Sequence, residues 1–167
     1  MSMMLNTKSA TRREGMRGAA AVELALVSII LVMLVLAAVD FARAMFVYDQ
    51  LVKSARDGVR YLSFFDPSLP GNYPVALAKN RMIYGSVNGS GNTIVPGLTT
   101  GMISVCDRVN SNACPGETFA DVPTGSGSIN LVTVKISGYQ YEPVFPGVSK
   151  MTTLTFEPIS VTMRQLY

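Results

Sequence analysis

One carboxylate, Glu23, stands in an apolar run, AAAVELALVSIILVMLVLAAV at 19–39, that carries no other charge. Three fates are open to such a group: it meets a cationic partner, it leans toward the nearer end of the run, or it takes up a proton. The next residues with chemistry in them are two thiols, Cys106 and Cys114, with seven residues between them. Metal sites use tighter CxxC pairs, two at a time, and no second pair exists here. A disulfide closing a small loop is expected if that region is exported; a reduced, buried pair is the alternative. The chain has no histidine, so the commonest general base and metal ligand is missing. No Ser/His/Asp set can form. The stretch GSVNGSGNTIVPG at 85–97 is Gly-rich but lacks the Gly-Lys-Ser/Thr ending of a phosphate-binding loop. The expectation is a non-enzymatic protein with no cofactor and no metal.

The apolar run is itself an element. Its 21 residues suit a bilayer core of ~30 Å at ~1.5 Å of helix rise per residue. Lys8, Arg12, Arg13 and Arg17 precede it against one acid, Glu14. Basic residues beside a first span hold that flank in the cytoplasm, so residues 1–18 read as a basic cytoplasmic leader and 19–39 as a transmembrane helix. Everything after the span then faces the periplasm or the exterior. From Ala19 onward ten basic residues balance ten acidic ones. The net charge of +3 is therefore a leader property, and no nucleic-acid partner is expected. A cleaved secretory signal would have a shorter apolar stretch; Ala42-Arg43-Ala44 would be its cleavage site.

The helix is expected to outrun the span. Phe41, Ala44, Met45, Tyr48, Leu51, Val52, Ala55, Val59 and Leu62 recur at helical spacing, which makes 40–65 an amphipathic extension with one face for a core. Arg43, Arg56 and Arg60 then belong to a solvated face or to contacts within an assembly. Pro67 and Pro70 forbid continuation. Residues 66–167 form the exported small α+β domain: a linker at 66–73, a short helix at 75–84, and loop at 85–101 with an extended piece at 93–95. Strands are expected at 102–106, 129–141, 154–156 and 159–163. Within them Val132, Val134 and Ile136 alternate with polar residues. Gly138 suggests a bulge.

The leader ends at Gly18, and Glu23 follows five residues later, inside GAAAVE. This pattern resembles the processing site of type IV pilin-like precursors. Over 17–61 the marks GAAAVE, Asp40-Phe41-x-Arg43 and Ala55-Arg56-x-Gly58-x-Arg60 resemble the TadE-like family, minor pilins or pseudopilins of tight-adherence (Flp-type) pilus systems. The resemblance implies an α+β, type IV pilin-like fold, with a long N-terminal transmembrane and amphipathic helix packed on a small antiparallel sheet. It implies a prepilin peptidase cutting between Gly18 and Ala19. It also implies Glu23 pairing with the N-terminal amine of a neighbouring subunit. The partners would be the membrane, the peptidase, other pilin or pseudopilin subunits and the pilus assembly platform. The location would be the bacterial inner membrane, single-pass, with the C-terminal domain periplasmic, or the extracellular pilus. An anchored periplasmic binding or adhesive domain that never joins a filament is the alternative use of the same chain.

Overall fold

The computed structural model describes residues 8–69, 71–149 and 153–166, with the backbone alone at 8–17 and 148–149. The basic leader side chains and Pro70 thus lie outside the described residues. Helix α1 covers Lys8–Leu62, so it starts well before the apolar run, whereas a start near residue 20 was expected. Residues 8–17 (KSATRREGMR) are mostly good helix formers, with Gly15 the weak position, and the backbone has no cause to break there. Then follow α2 (Val75–Tyr84), a 3-10 turn (Thr100–Met102), β1 (Ile103–Cys106), β2 (Val122–Thr124), β3 (Gly127–Ile129), β4 (Leu131–Ile136), β5 (Gln140–Tyr141), α3 (Pro146–Ser149), β6 (Leu154–Thr155) and β7 (Ile159–Arg164).

The chain forms two compact units. Described residues of Met1–Ala42 and Val144–Met151 make the first, and those of Arg43–Pro143 and Thr152–Tyr167 the second. The second unit is an α+β layer. Its sheet runs β1-β4-β7, all antiparallel, and the core joins Leu51, Ala55, Val59 and Leu62 of α1 to α2 and to the inner face of that sheet. In β4, Val132, Val134 and Ile136 are buried as the alternation requires. Thr133, on the other parity, is buried too; its hydroxyl meets that of its cross-strand partner Thr162 at 2.7 Å, which removes the cost of burying it.

Three expectations need correcting. Phe41, Met45 and Tyr48 are exposed, so the buried stripe of α1 is continuous only from Leu51. The strands of the main sheet are four to six residues long. The strand expected at 129–141 ends at Ile136. Gly138 takes φ +73°, a left-handed conformation open to glycine. It breaks the ladder instead of bulging it, and β5 starts a separate pairing with β6. No strand forms at 93–95; Ile94 donates its N–H to the Ile83 carbonyl at 2.7 Å, and Val95 enters the core singly. The β2–β3 hairpin was missed, since its Pro, Gly and Ser content reads as loop.

Gly58 has a packing reason. A Cβ at this position would collide with Met82 of α2, meeting both its Sδ and its Cγ. Met82 is fully buried, and its Cγ cannot clear the space without moving the whole side chain. The helix gains about 1 kcal/mol from replacing glycine, but overpacking costs typically about 1–3 kcal/mol. Gly58→Val, larger and β-branched, is expected to be destabilising and to lower the thermal midpoint of the full chain in detergent. A midpoint at or above the parent's would refute the close α1–α2 approach.

Candidate functional site

Between 18 and 35 every side chain of α1 except Ser28 is exposed, and Ser28 returns its hydroxyl to the Ala25 carbonyl at 2.9 Å. The most apolar 18-residue window has a mean hydropathy of 2.9 with nothing covering it. Among the described residues, α1 holds the one helix segment long and apolar enough to cross a membrane, by length and composition. Glu23 is exposed on this surface, as are Gly18 and Ala19. Nothing lies within 4 Å of where a Gly18 Cβ would stand, so the backbone at the 18–19 bond is uncrowded. Residues 19 and 23 are one helical turn apart and share a face. Helical side chains lean toward the N-terminus, so the Glu23 carboxylate is directed back along that face.

Asp40, the first charge after the apolar run, is fully buried. Exposed apolar side chains flank it on both sides, Val39 and Phe41 among them. Its Oδ1 accepts the Val144 N–H at 3.0 Å and its Oδ2 accepts the Phe145 N–H at 3.1 Å. The contact spans 104 and 105 residues of sequence and ties the entry of α3 to α1 within the first unit. In the sequence Asp40 stood out only within the Asp40-Phe41-x-Arg43 mark. The signal available was positional: a lone carboxylate one residue after a long apolar run.

In the second unit, Cys106 and Cys114 form a disulfide with Cα atoms 6.2 Å apart. Phe119 packs on it, and Leu131 adds partial cover. Inside the loop the Asp107 carboxylate accepts the N–H groups of Val109 and Asn110 at 2.8 and 2.9 Å. Closing a loop this short constrains the unfolded chain by about 2–3 kcal/mol. Cys106→Ser with Cys114→Ser is expected to cost that much in a denaturant titration, and an unchanged midpoint would count against it.

Below this loop the Asp66 carboxylate accepts the Ser68 hydroxyl at 2.6 Å and the Ser68 N–H at 2.8 Å, and it pairs with Arg108. These bonds, those from Ser68 foremost, hold its pKa down to about 2 from 3.8. The sign is that of a depressed acid: the contribution is complete above the unfolded value and is lost as pH falls from about 4 through about 2. A carboxyl-carbon NMR titration should find Asp66 near 2 in the parent and closer to its ordinary value in Ser68→Ala. A parent midpoint already at the ordinary value would refute the arrangement.

The structure thus joins the two cysteines. It carries Gly18, Ala19 and Glu23 on one helix, the last two on a shared face, and it adds Asp40. Glu23 belongs to the first unit and the disulfide to the second. Among the described residues no group of three His, Cys, Asp or Glu side chains is placed to hold a metal ion. Of the arginines marked at the sequence level, Arg43, Arg56 and Arg60 are exposed, while Ala55 is buried in the core and Gly58 lies against Met82. In comparison with known proteins, residues 18–60 match the family described as TadE-like protein. No curated protein and no solved structure matches.

Proposed function

We propose that this chain, whose residues 18–60 match the TadE-like family, is a minor pilin or pseudopilin of a tight-adherence pilus. It enters the inner membrane with its leader in the cytoplasm and its second unit in the periplasm. A prepilin peptidase trims it after Gly18, and it then joins or primes the assembly through α1. It is the substrate of a peptidase and a subunit, not an enzyme. The observation that carries this reading is the family match over a helix whose first unit exposes nearly all of its apolar surface.

The local chemistry is consistent with trimming. A peptidase needs an extended backbone at the bond it cuts, yet the backbone is helical from Lys8 through residue 18. Gly15 and Gly18 each weaken the helix by about 1 kcal/mol relative to alanine, so the 15–19 stretch opens at least cost. Cleavage frees an amine on Ala19, and an amine near Glu23 offsets the cost of a carboxylate in lipid. A cation from the next subunit in that position fixes the axial register of two helices.

The test is intact mass with N-terminal sequencing of protein purified from its native membrane. A mature chain beginning at Ala19 is expected. An intact leader would reduce the helix to a plain anchor and favour the periplasmic binding domain instead. A start at Met45 would mean an ordinary secreted protein.

A further inference from the structure

We infer that the segment 144–147, which leads into α3, is a second membrane contact, an apolar patch of the first unit seated in the outer boundary of the bilayer and held there by Asp40. The inference rests on the reading of 19–39 as a span. A 21-residue helical run is about 31 Å long, the thickness of the hydrocarbon core. Asp40 therefore sits at its outer edge. Helical side chains lean toward the N-terminus, so the Asp40 carboxylate reaches back over the last turn of the run. Leu36 and Ala37, four and three residues earlier on the same face, are half-buried in an otherwise exposed stretch. The residues from Val144 on cluster with this part of α1.

The segment reads VFPG at 144–147, with Pro143 before it and α3 starting at Pro146, and the non-helical backbone at its start suits lipid. A non-helical backbone is tolerated at membrane depth only where its polar groups are satisfied. Pro143 and Pro146 have no N–H to satisfy. The two donors between them, Val144 and Phe145, both go to Asp40. Val144 is 45% exposed and Pro146 and Gly147 are exposed too, so from 144 to 147 the outward surface is uncharged, and the exposed Glu142 stands before it. Asp40 itself is fully buried, so its carboxylate presents nothing charged to the lipid. The occupant that fits is the interfacial layer of the bilayer, apolar below and wet above.

The chain has no tryptophan, so a single introduced indole reports its own site. Full-length Val144→Trp would be reconstituted into phosphatidylethanolamine–phosphatidylglycerol vesicles containing phosphatidylcholine brominated either near the head or near the end of its acyl chains. Val109→Trp, at an exposed position of the cysteine loop, is the comparison. Flotation of the vesicles after an alkaline wash reports the span separately. The expected result is flotation of both variants. The indole of Val144→Trp should be blue-shifted and quenched most by the shallow bromines, and that of Val109→Trp neither shifted nor quenched. Flotation with the Val144→Trp indole emitting as in water and unquenched overturns the loop contact and leaves the span standing. A blue shift without quenching overturns it as well, since protein then covers the patch. Loss of flotation overturns the span and the loop together.

Discussion

Cells producing Glu23→Ala are expected to insert and trim the protein as the parent does, and to lose its assembly. The apolar surface of α1 is unchanged by the substitution. Removing a carboxylate from a span favours insertion, since the charge costs about 2.5–3.5 kcal/mol at the centre of a bilayer and less near its edge. On the proposed reading, a neighbouring amine offsets that same cost. A pairing worth about 2.8 kcal/mol is about a hundredfold in affinity for each subunit contact, and a filament repeats that contact along its length. Sheared surface fractions should therefore lack the protein while membrane fractions keep it in mature form. Glu23→Gln keeps a hydrogen-bonding side chain without the charge and should restore little. Two results would sink the idea: wild-type amounts in the surface fraction, or a mutant that retains its leader. The second would put Glu23 in recognition by the peptidase instead.

The parts of the fold that announced themselves are those where one periodicity dominates. The run at 19–39 is apolar on every face, and the stripe from Leu51 to Leu62 is apolar on one, because each element meets a single kind of surroundings. Val132, Val134 and Ile136 alternate because β4 turns one face to the core. The thiols were legible as a pair, and the structure oxidises them. What stayed hidden depends on partners that have no side-chain signature. Asp40 is bound by backbone N–H groups a hundred residues away, and any residue except proline offers that donor. Phe41 and Met45 fit the stripe, yet both are left exposed. Thr133 looked like a solvent-facing residue until its hydroxyl partner across the ladder was known.

Asp40→Ala is expected to release the segment that begins at Val144 without melting the second unit. The substitution leaves two backbone N–H groups without their acceptor. A hydrogen bond to a charged group contributes about 1.5–3 kcal/mol, so the local loss for two is about 3–6 kcal/mol. Neither Asp40 nor any of 144–147 is among the core residues of the second unit, which run from Ala44 to Ile159. Amide exchange at Val144 and Phe145 should quicken by a factor of about a hundred or more, on the scale of about 1.4 kcal/mol per tenfold. Exchange at Val132 and Val134 should not change. Asp40→Asn decides between charge and shape. Its carboxamide has one oxygen for two donors and turns an N–H2 toward the other, so it should fall close to the alanine variant. Asparagine holding both amides as slowly as aspartate would mean that packing fixes the segment, and that the carboxylate is only a passenger there. Fast exchange in both variants, with an intact second unit, would make a buried charge at the end of the apolar run the clasp that holds α3 to α1.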